Sequence, residues 1–389
     1  MCSFICWIVK PMFNRTKAIA KKEFKQLLRD KRLLFVMIFL PLFLLVIFGY
    51  AVNFDVKNIQ LSVLDKDQSN LSRSLINSVT SSNYFYIKSY LKNDNEIKAT
   101  LDKKDAQIVL VIPSDFSEKI DKNKESASIQ FLIDGVDGNA ATIIKNYATV
   151  ASVNFNQELQ NKLLAKLGIN FDRPVLLEPI YWFNPELDTT MYLIPGLIAM
   201  ILIITAVISV SLSLVREKEQ GTMEQINVSS INSVELLVGK SLPYVVLSFL
   251  DALLILIVGY IFFDVIVKGS LILLFLMALV YIIASTALGI FISVIAPTQQ
   301  IAFTIATFST LLPSVILSGF IFPIESMPVI IQIITNITPA KFFIVILRGI
   351  VIKGVGLPAF WDQLLYLLLF ATVFLTIAIN VYKKKSEVY

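Results

Sequence analysis

A chain of 389 residues with 56% hydrophobic and 16% charged side chains is too apolar for an ordinary soluble domain, where about a quarter of residues are charged. It has no histidine and two cysteines, Cys2 and Cys6, which excludes a disulfide framework, a Cys/His zinc site and Ser-His or Cys-His nucleophilic catalysis. The formal net charge is +5 and the mean hydropathy +0.72, with residues 1–32 holding nine Lys/Arg against two acids and residues 54–189 fifteen against eighteen.

The opening MCSFICWIVKP has an apolar run too short to span a membrane, no basic residue before it and no small-residue cleavage site, so it does not read as a signal peptide. Residues 13–32 predict a basic amphipathic helix, with Phe13, Ala20, Phe24, Leu27 and Leu28 on an apolar stripe, lying in the headgroup plane. Six apolar runs then approach or exceed the roughly 20 residues that a spanning helix needs: 33–53, 191–215, 242–263, 271–296, 301–319 and 361–382. Between the first two lie IQLSVLD (59–65), YFYIKSYL (84–91), AQIVLVI (106–112), SIQFLID (128–134) and PVLLEPIYW (174–182), which read as strands. Polar, helix-compatible stretches separate them, the longest over 139–167, and that alternation predicts an α/β domain. Asp134 and Asp137 in DGVDGN lack the other ligands of a calcium loop and read as a turn.

The short flanks orient the spans. The basic N-terminus and Lys383-Lys384-Lys385 are placed in the cytosol, which puts 54–189 outside and 216–240 inside. Lys341, Arg348 and Lys353 then fall outside, against the rule, in a segment that reads as packed protein.

The loop REKEQGTMEQINVSSINSVELLVGKSLPY, 216–244, starts where a span runs straight into charge. Gly221 suits the left-handed end of that helix, and Thr222 with Gln225 fits a capping box for a short new one. Asn232 with Glu235 repeats the device at the next helix. Gly239-Lys240-Ser241 copies the tail of a P-loop, but Val234 stands where the first glycine belongs and no strand precedes it. Asp251 is the one ionisable residue well inside a span. A structural hydrogen bond to a neighbouring helix is the favoured reading for it, over a point on a substrate path or dimer interface. Glu325 is expected to pair with Lys341 and Arg348 and hold its segment in place.

The run RE-KE-x-GT-x-EQ after a span, followed by S-x-x-ELL-x-GK-x-x-PY into the next, resembles the signature of ABC transporter type-2 permeases. LSGFIFPIESMP (317–328) and ITPAKFFIVILRGIVIKG (337–354) resemble that family's outer hairpin before the last helix. The resemblance covers essentially the whole chain. It implies a six-helix membrane protein of a bacterial inner membrane, with both termini cytosolic and an extracytoplasmic α/β domain inserted between the first and second helices. The domains expected are an interface helix (1–32), a first span (33–53), the α/β domain (54–189), a five-helix bundle (190–382) with coupling loop 216–240 and outer hairpin 320–356, and a tail (383–389).

In that family a short cytosolic helix docks in a groove of the ATPase, which makes Glu217, Glu219, Gly221, Thr222, Glu224 and Gln225 the implied contacts. The chain itself would hold no cofactor or metal and catalyse nothing, ATP and magnesium binding to the partner ATPase. Further partners implied are a second copy or sister permease, the lipid bilayer and a periplasmic adaptor, and no nucleic acid. The substrate class stays open among drug-like amphiphiles, lipids and envelope components. The rival readings are a scaffold or mechanotransmitting subunit that moves no substrate, and a membrane enzyme, which the lack of histidine and of clustered intramembrane acids disfavours.

Overall fold

The computed structural model describes residues 2–51, 58–81, 84–121, 126–166, 182–184, 189–228 and 231–386. The strand expected over 174–182 lies outside these residues apart from Trp182. The chain divides into two compact units, one of residues 1–53 with 181–389 and the other of residues 54–180.

In the second unit, β1 (Ile59–Asp65), β2 (Phe85–Tyr90), β3 (Ile108–Ile112) and β4 (Gln130–Ile133) form one sheet in the order β2-β1-β3-β4. β2 and β3 pair parallel with β1, and β4 pairs antiparallel with β3. The central strand β3 is buried along its whole length, as a parallel strand covered on both faces must be. One face packs Leu61, Val63 and Leu110 against α3 (Asn70–Thr80) and α6 (Gly138–Lys166), through Leu75, Val79, Ile144 and Ala148. On the other face Leu64, Val109 and Val111 meet Ile97 and Leu101 of α4 (Asp94–Asp102). α5 (Phe116–Asp121) adds Phe116 to the first core. Ser69 caps α3, its hydroxyl accepting from the N–H groups of Leu71 and Ser72 at 3.1 and 3.0 Å.

The first unit is helical. α1 (Cys2–Arg29) stops at Asp30, and α2 (Lys31–Ala51) is the first of six helices, among the described residues, long and apolar enough to span a membrane. The others are α7 (Thr189–Glu219), α9 (Ser233–Phe263), α10 (Leu271–Ile295), α11 (Gln299–Ile316) and α14 (Trp361–Ser386), with the short α8 (Met223–Val228) between α7 and α9. Four of them contain proline (Pro41, Pro195, Pro243 and Pro313), which neighbouring helices make tolerable in spanning segments.

The segment expected as a hairpin folds as α12 (Val329–Ile334), a 3₁₀ turn at Thr335–Ile337 and α13 (Pro339–Arg348), followed by a π turn at Gly349–Lys353. Its two halves bend by 91°, the geometry of a broken span or a re-entrant loop. Pro339 explains the break, since it forces Thr338 into extended backbone and opens the next helix without needing an N–H partner.

α7 is the hub, packed by α2, α9, α10, α11 and α13 and buried over most of its length. α10 comes close to it at Gly289, where an added Cβ would lie 2.9 Å from the Val207 carbonyl oxygen. Gly289→Ala should therefore lower the thermal midpoint of the purified protein, at a cost of about 1–3 kcal/mol typical of overpacking. Gly259→Ala, with open space around the new methyl, should leave the midpoint unchanged or raise it.

Candidate functional site

α7 is charge-free until Arg216, and its last turn carries Arg216, Glu217, Lys218 and Glu219. The helix then closes in a Schellman turn. Thr222 N–H donates to the Glu217 carbonyl and Gly221 N–H to the Lys218 carbonyl, both at 3.2 Å, while Gly221 takes φ +71° as such a turn requires. The Thr222 hydroxyl donates back to the Glu217 carboxylate instead of opening α8, so the capping box expected with Gln225 gives way to a closure of α7.

The charged side chains of this turn diverge to different helices. Arg216 reaches Asp30 at 3.4 Å. The Lys218 ammonium donates to the carbonyls of Ser293, Val294 and Ala296 at 2.6, 3.1 and 3.2 Å, covering the C-terminal end of α10. Glu219 accepts from the backbone N–H of Gln299 at 2.8 Å and from its side-chain amide, which serves the N-terminal end of α11.

Glu217 turns inward to a cluster drawn from α1, α7 and α9. Lys240 Nζ lies 2.6 Å from Glu23 Oε1 and 3.2 Å from Glu217 Oε1, and Lys22 Nζ lies 2.6 Å from Glu217 Oε1 and 3.6 Å from Glu23 Oε1. Glu23, Glu217 and Lys240 are each only 4% exposed. Partial burial works against the charge of Lys22, but its hydrogen bond to Glu217 and the charges of Glu217 and Glu23 outweigh that and hold its ammonium above the ordinary value. The P-loop-like Gly239-Lys240-Ser241 thus has a packing explanation. Lys240 completes the ion cluster, and Gly239 lets α1 come close, since a Cβ there would sit 2.9 Å from Ile19 and 3.1 Å from the Thr16 carbonyl.

Of the six contact residues implied by resemblance, Glu219, Gly221, Glu224 and Gln225 are exposed, Thr222 is half-buried and Glu217 is buried with its carboxylate bonded internally. The second capping box forms, with Asn232 N–H donating to Glu235 Oε2 at 2.9 Å.

Asp251 faces the bundle interior at 2% exposure, and its Oδ1 has no hydrogen-bond partner, so that oxygen does not make the expected interhelical bond. The pairing expected between Glu325 and the two basic residues is also replaced. Glu325 is exposed, and Lys341 donates to Thr335 Oγ1 and Asn336 Oδ1 at 2.9 and 2.7 Å. The Arg348 guanidinium stacks 3.7 Å from the Tyr192 ring centre and donates to the carbonyls of Tyr192, Gly319 and Phe320. It ties the first turns of α7 to the end of α11, a role that no local sequence signal marks.

Beside α7 lies a cavity of about 580 Å³, walled by α2, α7 and α11. Its lining is mostly apolar, with the hydroxyls of Thr205, Ser209 and Ser213 at helical spacing and the Asp30–Arg216 pair at one end.

Residues 31–380 match the model of the ABC-2 family transporter proteins. The chain is similar to the probable multidrug ABC transporter permease YbhR of Escherichia coli K12, 32% identical over 374 residues that cover 96% of this chain and 100% of that protein. It is also similar to the probable multidrug ABC transporter permease YbhS of the same organism, 32% identical over 342 residues, 88% of this chain and 89% of that protein. The inner membrane transport permease YhhJ, again of that organism, is 30% identical over 373 residues, 93% of this chain and 95% of that protein.

Removing one member of a buried ion cluster strands the others, at a cost of about 3–5 kcal/mol. Lys240→Met should therefore lower the thermal midpoint strongly by leaving Glu23 and Glu217 to share Lys22. Adding Glu23→Gln to it should restore part of the loss, as a thermal-melt comparison of the single and double variants would show.

Proposed function

The chain belongs to the ABC-2 family of transporters, and on that premise we propose that it is the membrane-spanning subunit of an ATP-powered exporter whose separate ATPase seats on α8 and the turn before it. The observation that carries this is the wiring of that turn. Glu219, Gly221, Glu224 and Gln225 lie open to a partner, while Glu217 behind them is bonded to α1 and α9. A displacement of α8 is thereby handed to three helices at once, one of them the hub. ATP and magnesium belong to the ATPase, because Gly239-Lys240-Ser241 is committed to packing and lacks the glycine-rich turn that cradles phosphate.

The working unit contains two permease chains, the second being another copy or a sister. α11 supports this: it is the least apolar of the six spans yet leaves Gln300, Thr304 and Ser309 exposed, which suits a facing protein or water-lined path better than hydrocarbon. The cavity beside α7 suits an amphiphile, with apolar walls for its body and hydroxyls for its polar groups, and this favours conduction over a scaffold that moves nothing. The membrane is a bacterial inner membrane with both termini cytosolic, in keeping with the basic residues of 1–32 and the lysines at 383–385. The α/β unit then lies outside.

Charge reversal at Glu224 with Gln225→Lys touches exposed side chains only, so the isolated permease should keep its thermal midpoint. The variant should fail to co-purify with the cognate ATPase or stimulate it; undiminished binding and transport would place the docking surface elsewhere. In a background lacking Cys2 and Cys6, Phe308→Cys on the exposed face of α11 should form disulfide-linked dimers in membranes, whereas Tyr260→Cys on α9 should not.

A further inference from the structure

We propose that a second cavity, at the level where α7, α10 and α14 end, binds the head group of an aminophospholipid, recognising its phosphodiester and the ammonium beside it. This cavity of about 400 Å³ is lined by Lys218, Lys385, Glu224 and Tyr382, with Ile295 and Met223 on its rim. Lys218 and Lys385 come from different helices yet share one acceptor, the Val294 carbonyl, at 3.1 and 3.0 Å. Two like charges held that close repel, and among the described residues no carboxylate lies within ion-pair distance of either. An anion between them removes the repulsion.

The donors that remain fit a phosphate. Lys218 spends its three N–H groups on the α10 carbonyls, whereas Lys385 spends one on Val294 and keeps two for an incoming oxygen. Glu224 argues against a simple anion as the best occupant, because it lines the same cavity and its negative charge would stand beside the added one. A head group with phosphate and ammonium side by side satisfies both, its phosphate toward the lysines and its ammonium toward Glu224. The site also stands at the right depth, since α7, α10 and α14 all end here and basic pockets between helices at such ends capture lipid head groups. Ile295, exposed on the rim, offers an apolar start for the acyl chains. The lipid would pack beside α8, where its occupancy bears on ATPase docking. That consequence rests on the coupling reading, but the binding itself does not.

The test uses the purified full chain without any ATPase, so it stands or falls apart from the coupling reading. Lipid binding is followed by native mass spectrometry and by the thermal midpoint in detergent, with phosphatidylethanolamine, phosphatidylglycerol and the chain-free glycerophosphoethanolamine as probes. Phosphatidylethanolamine should bind at one saturable site per chain and more tightly than phosphatidylglycerol. Lys385→Gln should weaken both lipids about tenfold, the loss expected for one charge-assisted hydrogen bond, and Lys385→Arg should restore them. Glu224→Gln should abolish the preference between the two while binding persists. Equal affinities across the native chain and all three variants would mean annular lipid only, and competition by glycerophosphoethanolamine at lipid concentrations would mean a soluble phosphodiester site. Either result overturns the proposal.

Discussion

Two carboxylates and two ammoniums meet where α1, α7 and α9 converge, and three of the four are almost completely withdrawn from water. Burying any one alone would cost several kcal/mol, so the cluster holds only when all three helices are in register. That constraint fixes how α1 lies on the bundle, since Glu23 must reach Lys240 while Gly239 admits the backbone at Thr16. It also fixes where α7 may stop. Glu217 has to point inward, and the Schellman turn that ends the helix follows from the same residue, whose carbonyl takes the Thr222 N–H and whose carboxylate takes the Thr222 hydroxyl.

The opposite end of α7 is held by different chemistry. There Arg348 delivers its donors to the carbonyls of Gly319 and Phe320, left over just past the end of α11, and to that of Tyr192 in the first turn of α7. α7, 31 residues long, is thus held at both ends and packed on several sides between them. The cavity walled by α2, α7 and α11 lies along this helix. Asp251 marks the contrasting case. Its Oδ1 has no partner in this arrangement, and such a group stores an unfavourable term that a different packing of α9 could relieve.

What the sequence made legible was whatever local pattern controls. The six spanning helices appear within a few residues of the apolar runs, except that α9 starts nine residues before its run, at Ser233, where the Asn232–Glu235 box begins it. Four strands lie where apolar runs are bounded by polar stretches, and the left-handed Gly221 could be foreseen from its place after a charged helix end. What stayed hidden was every partnership between distant residues. Lys240 and Glu23 are 217 positions apart, and nothing near either one names the other. Thr222 obeyed the spacing rule for a capping box yet bonded backward, because Glu217 offered a buried carboxylate in need of a donor. Glu325 looked like the natural partner of Arg348, but the guanidinium is taken up by the carbonyls of Tyr192, Gly319 and Phe320.

The lysines of one short region show why residue type alone could not have assigned these roles. Lys218 and Lys240 both lie near the same turn, and both ammoniums are pulled out of solvent. Lys240 meets two carboxylates and joins a cluster whose charges cancel, so it can only hold the fold. Lys218 meets carbonyls and a second lysine, so its charge is only partly compensated, by the dipole of α10. The inner side of the turn is thus locked by charges that cancel, while Glu219 and Glu224 stay exposed and Lys218 shares a carbonyl with Lys385. Lys218 and Glu219 each tie α7 to a neighbour, the end of α10 and the start of α11, so Glu224 and Gln225 are the exposed side chains of this region that hold no other helix in place.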